Sequence, residues 1–159
     1  MSLQLDVGCG SKKLVPTAIG IDRIKSNCVD VVGDAKYLPF RDECFSRVYS
    51  SHVLEHFSWL EHDDIIGEWV RVLKSEGLLD VHVPNMAVRC FLFILVPQYQ
   101  TGIYGSQENA FMFHKSGFTV KTLKALLKKH SLENIKSHRD VQRWKKLLPA
   151  DIHMTGKKK

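Results

Sequence analysis

The sequence has no apolar run long enough to cross a membrane. Its longest, Phe91 to Val96, is six residues and closes at Pro97, where a spanning helix needs about 20. No basic leader precedes the first apolar stretch, which runs straight into Asp6 and a pair of glycines. No signal peptide is read, and a cytoplasmic location is expected. Cysteine is sparse: Cys9, Cys28, Cys44 and Cys90 stand apart with no Cys-x-x-Cys spacing. That scatter argues against a disulfide framework and predicts reduced thiols. There is no internal repeat and no linker-like segment.

What is present fits a single globular unit. At 159 residues, 44% apolar and 25% charged, the chain can bury a real core but cannot divide into two ordinary domains. Residues 1–150 are read as that domain, and 151–159 as a flexible basic tail. The net charge of +6 is uneven, with twelve Lys/Arg against three Asp/Glu from Lys121 onward. Such a bias permits a polyanionic partner such as RNA or an acidic membrane surface. With little aromatic interleaving beyond Trp144, a solvated helix face and frayed end are the expected reading.

Apolar periodicity alternates between the strand and helix patterns, which predicts layered α/β structure. Leu3–Val7, Ala18–Ile21, Val29–Val32, Arg47–Ser50 and Leu78–Val83 read as strands, several rich in Val and Ile as buried parallel strands are. Asp63–Leu73 carries a helical stripe through Ile65, Ile66, Trp69 and Val70, with Gly77 marking its end. Thr119–His130 is a second helix, capped by Thr119. Leu132–Lys136 and Val141–Trp144 are expected to close the sheet as an antiparallel pair. Residues 84 to 118 read as a long irregular segment of the sort that carries function. Within it, Phe91 to Val96 is expected to seal the core, the alternative being a lid or docking patch. Trp59 and Trp69 are both expected in the core.

The chemistry-bearing signal is Leu5-Asp6-Val7-Gly8-Cys9-Gly10, an apolar strand entering a Gly-x-Gly turn. Glycines at the carboxyl end of a first strand let backbone approach a ligand where a side chain would collide. The third glycine of the dinucleotide fingerprint is missing, since Ser11, Lys12 and Lys13 follow, so a Rossmann dehydrogenase is disfavoured. Acids recur at the next strand ends. Asp22 closes Ala18-Ile-Gly-Ile-Asp22, where a carboxylate can accept ribose hydroxyls. Asp34 follows Val31-Val-Gly33, where it can accept from an adenine amino group.

That series continues through Gly33-Asp-Ala-Lys-Tyr-Leu-Pro-Phe40, Val48-Tyr-Ser-Ser-His-Val-Leu-Glu-His-Phe57, Trp69-Val-Arg-Val-Leu-Lys-Ser-Glu-Gly77 and Leu79-Asp-Val-His-Val-Pro84. As a set it resembles the class I S-adenosylmethionine-dependent methyltransferases. The resemblance implies a Rossmann-like α/β fold, mainly parallel, with helices on both sheet faces and an antiparallel last strand. It implies S-adenosylmethionine as cofactor, held by Asp6, Gly8, Cys9, Gly10, Asp22, Asp34, Ala35, Ser51 and His52. Gly8 and Gly10 would approach the methionine portion, Asp22 the ribose, and Asp34 with Ala35 the adenine. Ser51 and His52 would face the sulfonium methyl.

Three departures shape the expectation. Only Ser11 to Thr17 separates Gly10 from the second strand, too few for the usual crossover helix. No helices precede the first strand. Neither Asn-Pro-Pro-Tyr nor a Pro-Cys nucleophile occurs, which removes support for base-amine and C5-pyrimidine chemistry. The expected function is therefore methyl transfer to oxygen or nitrogen of a small molecule or glycan. Alternatives are a catalytically weak cofactor-binding or partner-regulating protein, and an RNA-directed enzyme. His52 and His114 are the candidate bases, with His56 near them.

One rival pattern is His52-Val-Leu-Glu55-His56, the spacing of an inverted zinc-protease helix with His62, Asp63 or Asp64 as a third ligand. It leaves the strand-end acids unexplained, so no metal is expected. The shortened crossover predicts an apolar sheet face lacking part of its cover, which Phe91–Val96 or a second copy of the chain would have to supply.

Overall fold

A computed structural model describes residues 2–96, 98–138 and 150–159. The strands are β1 (Gln4–Val7), β2 (Ile19–Asp22), β3 (Val31–Val32), β4 (Phe45–Ser51), β5 (Leu73–Pro84), β6 (Leu132–His138) and β7 (Asp151–Lys158). They form one seven-stranded sheet in the order β3-β2-β1-β4-β5-β7-β6. β1 to β5 pair in parallel, and the last strand, β7, runs antiparallel to both its neighbours. Ser11 to Thr17 forms turns with no helix.

The helices are α1 (His62–Val72), α2 (Met86–Leu95), α3 (Gln100–Tyr104) and α4 (Val120–Lys129). α1 buries Ile65, Ile66, Trp69 and Val72 completely, the i, i+1, i+4, i+7 stripe of an amphipathic helix. α4 starts with a reciprocal cap. Thr119 Oγ1 accepts from the Thr122 amide at 3.2 Å, and Thr122 Oγ1 accepts from the Thr119 amide at 2.9 Å. Such a box satisfies two otherwise orphaned amides.

The sheet is two-faced in the strict sense. Side chains on paired residues share a face and alternate along each strand. Leu5, Val7, Ile21, Val48, Leu79, Val81, Val83, Ile152 and Met154 therefore point one way and are buried under α1 and α4. Gln4, Arg47, Tyr49, Asp80, His82, His153 and Thr155 point the other way. Their polar groups satisfy one another. Asp80 accepts from Arg47 at 2.5 Å and from His153 at 2.8 Å, and the His82 and His153 rings stack 3.9 Å apart. Among the described residues, the helices that pack substantially on the sheet, α1 and α4, lie together on the apolar side, and α2 packs on α3. Where the short crossover predicts an uncovered apolar face, the sheet face is polar among the described residues.

Four further expectations are corrected. The basic tail is not frayed: residues 151 to 158 are β7, an inner strand of the sheet. Its pattern Asp151-Ile-His-Met-Thr155 alternates polar and apolar, as a half-buried strand requires. The proposed strand Val141–Trp144 lies outside the described residues. Gly77 does not end α1, which stops at Val72. It sits inside β5 beside the register shift against β4. Trp59 is 71% exposed in the turn before α1, while Trp69 is fully buried. Phe91 to Val96 does not seal the core. It belongs to α2 and its end, with Ile94 76% and Leu95 62% exposed. No helix of the described residues is long and apolar enough to cross a membrane.

The polar face carries an acid-sensitive contribution to stability. Burial alone would push the Asp80 carboxyl up, but hydrogen bonds from His82 and Arg47 outweigh it and hold it at about 2. A carboxylate with a depressed pKa stabilises the fold above its unfolded value and loses that contribution as pH falls through the folded value. Asp80 is expected to contribute about 2 kcal/mol that disappears between about pH 4 and pH 2. Urea unfolding at pH 5 and pH 2.5 measures it. Asp80→Asn should flatten that segment of the profile, and an unchanged slope would refute the assignment.

Candidate functional site

The carboxyl ends of β1, β2 and β4 open into one cleft, lined by Gly8, Gly10, Asp22, Ala35, His52 and Lys115 among others. The turn after β1 builds its floor. Gly8 and Gly10 adopt φ of 71° and 55°, a left-handed conformation that side chains disfavour. The Gly8 amide donates to the Ile21 carbonyl at 2.8 Å, tying the turn to β2. A side chain on Gly8 would strike Val53, whereas one on Gly10 meets no heavy atom within 4 Å. Gly10 thus leaves open a volume that a ligand can fill.

Asp22 forms the opposite wall. Its Oδ2 accepts from the Gly10 amide and its Oδ1 from the Ile24 amide, each at 2.9 Å. Each carboxylate oxygen keeps a further lone pair, so the group remains an acceptor held in a fixed place. Ala35 lies alongside, its carbonyl fixed by the indole N–H of Trp69 at 2.9 Å. The helix packed beneath the sheet therefore positions the cleft wall.

The structure does not bring every expected residue to this cleft. The Asp6 carboxylate is buried and accepts the Leu14 amide at 2.5 Å, holding the short crossover in place. Desolvation by that burial raises its pKa. Cys9 turns its thiol toward the Cys28 carbonyl, and burial pushes it up to about 11, which leaves it inert as a nucleophile. Asp34 is ion-paired to Arg23 and accepts the Lys36 amide at 2.9 Å. Ser51 is not among the lining residues. Arg23, by contrast, was invisible to sequence reading: its guanidinium lies 5.2 Å from the Phe57 ring centre and 5.3 Å from that of Phe111, at the mouth of the cleft.

At the end of β4, His52 has φ of 56°, a costly conformation for a residue with a side chain. Its Nδ1–H donates to Glu55 Oε1 at 3.1 Å, and that bond raises the imidazole's pKa against the lowering effect of burial. His114 stands behind His56, ring centres 5.1 Å apart, and burial lowers its pKa. Of these two candidate bases, His114 is the one whose pKa lies below the ordinary imidazole value. Glu55 and His56 occupy a single 3-10 turn, Leu54–His56, not a long helix. His62 is turned away to the Leu54 carbonyl at 3.2 Å and Ser116 Oγ at 3.0 Å, and Asp63 pairs with Lys129 and His130. The inverted protease arrangement is not formed.

Residues 5–81 match the model of a methyltransferase domain family. The chain is similar to an uncharacterized protein of Methanocaldococcus jannaschii, 31% identical over 97 residues, and the match spans 52% of this chain and 37% of that protein. It thus spans well under half the length of that curated relative. Among solved structures it is similar to an S-adenosylmethionine-dependent methyltransferase of Archaeoglobus fulgidus, with a TM-score of 0.68, 17% identity and coverage of 99% of this chain and 86% of that one. It is also similar to the 1,6-didemethyltoxoflavin N1-methyltransferase of Burkholderia thailandensis, solved with 1,6-didemethyltoxoflavin and S-adenosylhomocysteine. There the TM-score is 0.67, the identity 16%, and coverage 99% and 71%. At these identities the likeness is one of fold.

Proposed function

We propose that the cleft binds S-adenosylmethionine and serves methyl transfer, a reading supported by the match of residues 5–81 to a methyltransferase domain family and by the likeness in fold to an S-adenosylmethionine-dependent methyltransferase. The acceptor in this reading is an oxygen or nitrogen of a small molecule or glycan. The observation that carries it is the paired Gly10 turn and Asp22 carboxylate at adjacent strand ends. One offers space for close approach of a ligand, and the other offers fixed acceptors for two hydroxyls.

S-adenosylmethionine supplies a methyl carbon already activated by a positive sulfur, so alignment carries much of the catalysis. The chain's residues do the aligning. Gly8 and Gly10 admit the methionine portion, Asp22 takes the ribose, and Ala35 borders the adenine. Arg23, between its two phenyl rings, flanks the entrance, and His52 faces the acceptor side, while His114, the other candidate base, stands behind His56 and does not line the cleft.

Calorimetric titration with S-adenosylmethionine and S-adenosylhomocysteine tests the binding step. Methyl release over a panel of hydroxyl and amine acceptors tests the rest. Tight binding with no transfer to any acceptor would identify a cofactor-binding regulator of the same fold. Asp22→Ala should weaken binding by about 1–3 kcal/mol, the cost of leaving bound hydroxyls unpaired, with circular dichroism unchanged. Unaltered affinity would displace the ribose assignment.

A further inference from the structure

Glu55 is a buried acid near the cleft, 1% exposed. One oxygen accepts from His52, while Oε2 is buried with no hydrogen-bond partner. Buried carboxylate oxygens are almost always satisfied, and an orphan one demands an explanation. Two imidazoles supply it. His56 Nδ1 lies 3.2 Å from the Phe113 carbonyl, and His114 Nδ1 lies 3.2 Å from the Ile103 carbonyl. A carbonyl only accepts, so each Nδ1 is the donor, and each ring keeps its Nε2 for another partner. Metal-ligating histidines are held by such outer contacts.

One ligand atom from each of Glu55, His56 and His114 lies within 4.8 Å of the others. Bond lengths of about 2.0–2.2 Å to a shared ion need only small side-chain movements from there. The segments that carry them are tied together, since the Lys115 amide donates to the Glu55 carbonyl at 2.7 Å and the His114 amide to the Tyr104 carbonyl at 3.0 Å. We propose that Glu55, His56 and His114 bind a divalent transition-metal ion of the zinc, cobalt or manganese kind at the rim of the cleft. Two imidazoles and a carboxylate suit such ions better than calcium or copper(I). Three protein ligands leave positions open, as in catalytic and not structural sites.

His56 also lines the cleft, so the ion would stand where an acceptor enters. This part rests on the methyltransferase reading, and it narrows the acceptor to a hydroxyl. The ion lowers that hydroxyl's pKa and its proton passes to solvent. The oxygen–methyl bond then forms as the methyl–sulfur bond breaks, and the electron pair left on sulfur neutralises the sulfonium to a thioether. A second histidine–carboxylate cluster, Asp80 with His82 and His153, is not equivalent. There Arg47 occupies the other Asp80 oxygen and already supplies that carboxylate with a positive charge, and His153 and His82 sit on its Oδ1.

Titration of the purified chain with Co2+ alone, followed by visible absorption, tests the site. One equivalent should bind, and Glu55→Gln and His114→Ala should each weaken it at least 10- to 100-fold, while His153→Ala leaves it unchanged. Should Glu55→Gln fail to fold by circular dichroism, His114→Ala on the loop still decides. Unchanged Co2+ affinity in His114→Ala, or loss only in His153→Ala, overturns the proposal. Co2+ binding without S-adenosylmethionine binding would keep the site and sink the methyltransferase reading. The opposite result would do the reverse.

Discussion

Gly10→Val should abolish detectable S-adenosylmethionine binding, a loss of at least about 100-fold or on the order of 3 kcal/mol, while the chain still folds. The backbone at Gly10 has φ of 55° and its missing side chain faces open space. A valine there does two things. It fills the volume a ligand must enter, and it strains a left-handed backbone by about 1–2 kcal/mol. Relief of that strain would swing away the amide that Asp22 Oδ2 accepts, so both halves of the clamp fail together. Gly10→Ala should fall between valine and glycine. Gly8 offers the contrast, because a side chain there meets Val53 and the loss would appear in folding. Calorimetry with thermal unfolding separates the cases. Full affinity in Gly10→Val would make the glycine a turn residue only.

The largest stability effect is expected at Trp69. Its side chain is wholly buried where α1 meets the sheet, and its N–H fixes the Ala35 carbonyl. Trp69→Ala removes a large aromatic surface and leaves a cavity, a change that costs about 3–5 kcal/mol out of a typical 5–15. A fall in melting temperature of roughly 10 °C should follow. Trp69→Phe keeps most of the volume and deletes only the donor, so it should cost about 1–3 kcal/mol. It should also weaken the cofactor's binding, because Ala35 forms part of the cleft. Urea unfolding gives the first quantity and calorimetry the second. If Trp69→Phe loses stability but keeps full affinity, the Trp69–Ala35 bond has no bearing on the cleft.

Much of the sheet was readable from strand-like runs. The pattern Leu-Asp-Val-Gly-Cys-Gly announced β1 and its turn, and the apolar stripe of Ile65, Ile66 and Trp69 announced α1. The site was harder, for a physical reason. Spacing shows which acids stand at strand ends but not which of their lone pairs are already engaged. Asp6, Asp22 and Asp34 look alike in sequence. Yet Leu14 takes up Asp6, Arg23 and Lys36 take up Asp34, and only Asp22 borders the cleft. Arg23 left no signal because its position depends on Phe57 and Phe111, distant in the chain.

Two other features of the fold do carry a signal in the sequence. The alternation Leu79-Asp-Val-His-Val83 places an acid and an imidazole on the side opposite the valines. A sheet buried on both faces has near-continuous apolar strands, so this period of two already marked a polar second face. The same period runs through Asp151-Ile-His-Met-Thr155, the start of β7. Phe91 to Val96 is too short for apolar content alone to separate a sealed segment from an exposed helix.

The placement of β7 between β5 and β6 bears on how the molecule folds. β1 to β5 pair across shorter separations, the longest from β1 to β4, but Leu79 must find Gly156 and Val83 must find Ile152, across most of the second half of the chain. Contacts so far apart in sequence form late, because their loop-closure entropy comes due before any pairing rewards it. Until then β5 presents a long unpaired edge, the kind of surface on which chains associate wrongly. Refolding yield should therefore depend on protein concentration even if the native chain is a monomer, and the vulnerable species is the half-built sheet waiting for its inner strand.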